Sequence, residues 1–159
     1  MLFRLIYCTA LYFIFVSFSS CGKLDAYENN ITIPQYKWTS GFEPEFNFEI
    51  TDTSTLYRSY LLLRHTHAYA YKNIWVELYS RQPGDSTFQS AKFELTLQKA
   101  DGQWLGSGFS DIWEIRYPLF SDLRFRKTGI YTLRLKQIMR DDPLENIMSA
   151  GIRIEKIQR

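Results

Sequence analysis

The apolar residues of this chain recur with a period of two, and that rhythm restricts the fold more than any other feature. Phe42, Pro44, Phe46, Phe48 and Ile50 alternate with Glu43, Glu45, Asn47, Glu49 and Thr51. Successive side chains of an extended strand point to opposite faces, so this stretch has one side to bury and one to leave in water. Ile74, Val76 and Leu78 alternate in the same way with Trp75, Glu77 and Tyr79, and Tyr131, Leu133 and Leu135 with Thr132, Arg134 and Lys136. Phe93, Leu95 and Leu97 share a face, and Ile152 and Ile154 oppose Arg153 and Glu155. Residues 56–66 form a further predicted strand whose centre, Tyr60 to Leu63, is apolar on both faces. Turn chemistry punctuates these runs: a polar cluster at 51–55, then Pro83–Gly84, Asp101–Gly102 and Thr128–Gly129. Pro118 closes an alternating run that starts at Ile112 and marks it as an edge strand, because proline cannot donate to a ladder. Only residues 145–149 suggest a helical turn. The spacing lacks βαβ units and predicts an all-β fold: an antiparallel β-sandwich, jelly-roll or immunoglobulin-like, of roughly 7–9 strands. No internal repeat or second domain is evident, and the sandwich is expected over residues 29–159.

The first residues follow another pattern. Residues 5–18 are an almost unbroken apolar run of fourteen, with Arg4 the only charge before it and Ser19, Ser20 and Cys21 after it. A bilayer span needs roughly 20 apolar residues, whereas a secretory h-region is this short. Cutting before Cys21 would leave bulky Phe18 where ordinary signal cleavage wants a small residue. Phe18, Ser19, Ser20 and Cys21 instead resemble a bacterial lipobox, in which the cysteine thiol is acylated before the cut. Residues 1–20 are therefore expected to be a lipoprotein signal peptide, Cys21 the lipid attachment site and residues 21–28 a short tether. One fatty chain holds a protein to a membrane weakly, while two or three hold it almost irreversibly, at about 0.8 kcal/mol per buried methylene. Gly22 and Lys23 supply neither the aspartate that favours inner-membrane retention nor an acidic export run, which points to the periplasmic face of the outer membrane.

Of the two cysteines, Cys8 leaves with the leader, so the remaining chain cannot close an internal disulfide. Its 139 residues (159 minus 20) must stand on a core alone, and that length suffices. The formal charge falls from +2 to +1 once Arg4 is removed, a balance that gives nucleic acid no footprint.

Candidate chemistry is sparse. His65 and His67 are two apart on a strand and can share a face, but they make only half a zinc site, and no metal or other cofactor is expected. Gly106–Ser107–Gly108 lacks the spacing of a nucleophile elbow, with Leu105 and Phe109 where glycines belong. Those glycines fit a tight loop or bulge after Trp104. Trp38, Trp75, Trp104 and Trp113 raise the alternative of an exported carbohydrate-binding module, although large rings more often fill sandwich cores. Residues 140–143 (Arg, Asp, Asp, Pro) read as a charged turn whose aspartates can accept backbone N–H groups.

Several short stretches, in order, resemble those of the GldH-type gliding motility lipoproteins. They are Leu63–Arg64–His65–Thr66 with Asn73–Ile74–Trp75; residues 102–108 with Asp111 and Ile112; residues 128–132; residues 139–144; and residues 151–156. The resemblance implies a non-enzymatic envelope lipoprotein with a structural or interaction role, needed for surface adhesin movement and linked to type IX secretion. It implies no catalytic residue, small-molecule substrate or nucleic acid, and its partners are the membrane, through the lipid, and proteins of the gliding or secretion machinery. Sandwich domains usually bind through exposed polar loops, which places the expected contacts around Arg64 and His65, around the loop from Trp104 to Asp111, and at Arg140, Asp141 and Asp142.

Overall fold

Eleven strands run through residues 26–157, the part of the chain that the computed structural model describes. The expected leader, residues 1–20, and Cys21 lie outside it. The strands are β1 (Ala26–Thr32), β2 (Lys37–Trp38), β3 (Glu45–Ile50), β4 (Tyr57–Thr66), β5 (Asn73–Arg81), β6 (Gln89–Thr96), β7 (Ser107–Phe109), β8 (Ile112–Leu123), β9 (Gly129–Gln137), β10 (Leu144–Glu145) and β11 (Ile147–Lys156), with a 3₁₀ turn at Pro34–Tyr36. Nine have three or more residues, and two, β2 and β10, have only two. One sheet runs β1-β11-β4-β8-β7, the other β3-β9-β5-β6, and β10 pairs with β2. Numbering the eight principal strands along the chain, the sheets read 1-8-3-6 and 2-7-4-5, the order of a jelly roll. This selects between the two sandwich types that the sequence allows.

The period-two segments become strands for the expected reason. In β3, Phe46, Phe48 and Ile50 are buried and Glu45, Asn47 and Glu49 exposed; in β5, Ile74, Val76 and Leu78 face the core. The two-sided centre of β4 is real too, since Leu61 and Leu63 join the core while Leu62, on the other face, is also buried. β7 covers only Ile112 to Glu114 of β8, so Pro118 lies on the uncovered edge beyond it.

Two stretches depart from expectation. Residues 145–149 form no helical turn. Asn146 adopts φ 68°, separating β10 from β11, and Leu144 and Ile147 on either side are fully packed into the core. A helical turn would carry one of them out of it. The other difference is β1, which starts inside the expected tether and pairs with β11 over all seven residues, Ala26 with Glu155 through Thr32 with Ser149. Its side chains are mostly polar and half-exposed, so the ladder rather than side-chain burial holds it.

Antiparallel pairing sorts the connections to two ends. Ala26, residues 51–56, 82–88 and 124–128, and Ile157 lie at one, where Lys156 pairs with Asp52 at 2.6 Å and Lys127 with Asp85 at 3.0 Å. Residues 33–44, 67–72, 97–111 and 138–146 lie at the other. The ten residues of β4 put roughly 33 Å between the two ends.

Candidate functional site

The far end, opposite Ala26, gathers nearly every residue expected to make contacts. Its loops are tied to one another by polar side chains. Asp142 accepts the Ser40 backbone N–H at 2.9 Å and also the Ser40 hydroxyl. These two bonds hold its carboxyl below the usual carboxylate range. Asp141 accepts the Tyr71 hydroxyl, which raises that phenol's pKa. Asn146 donates to the Ala68 carbonyl at 3.2 Å and accepts from Thr66 Oγ1 at 3.1 Å. The Asp111 carbonyl receives the His67 N–H at 2.6 Å. Gly106, at φ 89°, passes so close to the Glu114 carbonyl that no side chain fits, as the loop reading of that glycine requires.

Among the expected contacts, Arg64, Asp111, Arg140, Asp141 and Asp142 are exposed. Arg64 already holds Glu114 through Nη2 at 2.5 Å and Nε at 3.2 Å. Arg140 forms no ion pair among the described residues. His65 and Trp104 require correction, because they are buried at 0 % and 6 % exposure and cannot touch a partner directly. Their rings meet under the loops at a tilt of 58° with centroids 4.6 Å apart, and Tyr69 closes on His65 at 5.6 Å. The Trp104 indole N–H donates to His67 Nδ1 at 3.1 Å, so the two histidines flank a tryptophan. Among the described residues no three metal-ligating side chains converge. As for the sugar-platform alternative, Trp38 and Trp104 are buried, Trp113 packs against the core, and only Trp75 is exposed at 39 %.

The most accessible side chain of this end lies within the expected loop from Trp104 to Asp111, although the sequence does not single it out. Phe109 is 86 % exposed on β7, and Tyr36 is 45 % exposed. Gln35, Tyr36, Ser110 and Asn146, the non-glycine residues with positive φ among those described, all stand in these loops and none at the other end. A non-glycine residue in the left-handed region costs about 1–3 kcal/mol and persists only where the surrounding structure over-determines it, and such residues cluster at binding loops. The available signal was an aromatic residue inside a glycine- and serine-rich turn, Gly106 to Asp111.

His65 makes acid stability testable. Its Nδ1 lies 2.9 Å from the Thr66 carbonyl, so Nδ1–H donates and the Nε2 lone pair is buried with no partner among the described residues. Burial holds the ring below its ordinary value of 6.5, with nearby His67 adding to the effect and the Thr66 bond opposing it. The unfolded chain therefore binds this proton first. Stability is complete above about pH 6.5 and falls as pH drops towards the folded value, by up to about 1.4 kcal/mol per pH unit. Urea melts at pH 7.5, 6.5 and 5.5 are expected to show the loss in the wild type and a flatter profile in His65→Leu. Equal slopes would show that His65 is not the group responsible.

These features define a jelly-roll domain presenting one strained, aromatic and polar loop end. The chain belongs to the GldH lipoprotein family, whose model matches residues 25–154. It is 28 % identical over 151 residues to a gliding motility lipoprotein GldH homolog from Christiangramia forsetii, covering 91 % of each chain. To the gliding motility lipoprotein GldH of Flavobacterium johnsoniae it is 25 % identical over 144 residues, covering 86 % of this chain and 88 % of that one. Among solved structures, the VP2 subviral particle of infectious bursal disease virus aligns with a TM-score of 0.38 and 13 % identity. That alignment covers 84 % of this chain and 33 % of the viral one, so this chain spans about a third of its length.

Proposed function

We propose that this chain is a gliding motility lipoprotein, acylated at Cys21, that stands on the periplasmic face of the outer membrane. There it acts as a non-enzymatic structural and interaction subunit, needed for surface adhesin movement and coupled to type IX secretion. The observation that carries this reading is the family match over residues 25–154 together with two relatives named for gliding motility. Its mechanism is confinement: acyl chains hold a stiff sandwich in one leaflet and raise its concentration beside other anchored proteins, so a weak contact suffices. The far loops supply that contact. They combine an exposed aromatic, Phe109, with Arg140, which forms no ion pair among the described residues, and a scaffold of aspartate-tied turns.

A photoreactive phenylalanine analogue at position 109 is expected to crosslink specific envelope proteins in living cells. The same group at Ile130, 63 % exposed but at the opposite end, is the control and is expected to capture none of them. Phe109→Asp should shift stability by no more than about 0.5 kcal/mol, because the ring is in water already, while abolishing the adducts and impairing gliding or secretion. Identical adducts from both positions, or full function in Phe109→Asp, would refute the assignment of this end.

A further inference from the structure

The jelly roll is not closed along its whole length. On the β6–β8 side, towards the Ala26 end, a cleft of about 350 Å³ opens between the sheets. Its origin is in β8: Tyr60 faces Pro118, Ser59 faces Phe120 and Tyr57 faces Leu123, so three steps of β4 span five of β8. Two extra residues force β8 to bulge, and a bulged strand bends away from its partner. Phe48, Leu78, Leu119, Leu123, Tyr131 and Ile152 line the interior. Phe120, 44 % exposed, continues the apolar surface outward and meets Phe93 edge-on at 5.9 Å.

Polar groups break this wall: Ser80, Gln82, Gln89 and Ser90 on the β5–β6 side, a serine in the interior and two arginines. Ser59 is 3 % exposed, and its Oγ has no hydrogen-bond partner among the described residues. At the rim stand Arg124 and Arg126, both exposed and neither in an ion pair among the described residues. The cleft falls within the range of about 300–1,000 Å³ in which proteins hold small molecules. At roughly 30 Å³ per water-sized group it takes about a dozen methylenes.

We infer that this cleft binds a single fatty acid, its chain between the sheets, its carboxylate at Arg124 and Arg126, and a hydroxyl on the chain paired with Ser59. Two guanidiniums complement one carboxylate, the mainly apolar interior formed by Phe48, Leu78, Leu119, Leu123, Tyr131 and Ile152 suits an alkyl chain, and a buried orphan hydroxyl favours a ligand that supplies it a partner. The cleft lies on the other side of the fold from the contact loops, so it can be occupied while they are engaged.

The test uses the full chain held in amphipol, with 13C-carboxyl-labelled tetradecanoate and 3-hydroxytetradecanoate followed by NMR and equilibrium dialysis. Both acids are expected to bind, the hydroxylated one several-fold tighter. Arg124→Glu with Arg126→Glu should weaken both at least about tenfold. Ala91→Trp, a plug at the exposed rim, should abolish binding without altering the melting curve. Ser59→Ala should erase the preference for the hydroxylated chain. Binding that survives both the charge reversal and the plug overturns the site, and equal affinities in the wild type overturn the hydroxyl assignment. Binding that appears only in Cys21→Ala would place the chain's own acyl group in the cleft and overturn a free acid as its occupant.

Discussion

Cys21→Ala, expressed behind an ordinarily cleaved leader, is expected to move the protein entirely from membranes to the soluble periplasmic fraction and to stop gliding or secretion while leaving the fold intact. A single acyl chain gives a membrane binding constant of only about 10⁴ M⁻¹, and two or three raise it to practical irreversibility, so removing all of them is close to an all-or-none change. The described fold, residues 26–157, does not include the residue to be modified. β1 begins at Ala26, five positions after Cys21, and among the described residues every core side chain follows it. Five residues reach at most about 18 Å, so acylation at Cys21 would keep the Ala26 end near the bilayer and point the Phe109 end away from it. The replacement is followed by fractionation, labelled-palmitate incorporation and the circular dichroism of the released protein. A variant that stays with membranes, or a wild type that takes up no palmitate, would remove the anchor from the proposal.

What the sequence disclosed and what it hid divide along physical lines. β3, β5 and β9 were legible because each buries one face, and a two-sided strand pattern is written directly into residues such as Phe46, Glu45, Leu133 and Arg134. β1 was not, because backbone ladder bonds to β11 carry no side-chain signature. The choice of jelly roll over the immunoglobulin type was hidden too, since strand order comes from long-range pairings such as Ala26 with Glu155. At the candidate site, the aspartate turn and the glycine loop were read from local turn chemistry, and the structure brings both to one end. His65 and Trp104 were misread because a polar or amphipathic residue near a loop looks exposed in sequence. Here tilted ring contacts among His65, Trp104 and Tyr69, the Thr66 carbonyl on His65 and His67 Nδ1 on the indole N–H offset their burial. The Trp104 to Asp111 loop was legible as a contact region, but Phe109 did not stand out within it for the converse reason: apolar residues are assumed to be inside.

Trp38→Ala is expected to be among the most destabilising single changes in the folded region, about 3–5 kcal/mol, lowering the melting temperature by roughly 10–20 °C for a domain of this size. The residue sits on a strand of only two residues, yet it is fully buried and pairs with Leu144 of β10. Its indole N–H donates to the Phe42 carbonyl at 2.9 Å, and its own carbonyl accepts Gln137 Nε2 at 3.3 Å. Gln137 in turn bonds the Asp141 carbonyl at 3.2 Å and takes the Met139 N–H at 2.8 Å. One side chain and one amide thus fasten the 33–44 and 138–146 connections to the sandwich, and those connections carry the strained contact end. Trp38→Phe keeps most of the volume but leaves the Phe42 carbonyl without its donor, and should cost about 1–3 kcal/mol. Trp75→Ala, on the outer face of β5 and 39 % exposed, should cost about 1 kcal/mol. Because unfolding free energies of such domains are about 5–15 kcal/mol, Trp38→Ala should remain mostly folded at room temperature with its far loops loosened first. Limited proteolysis should then cut within 33–44 or 138–146 before it cuts within 51–56 or 82–88. A melting curve within a few degrees of the wild type, or cleavage that starts at the Ala26 end, would show that Trp38 does not hold the contact end in place.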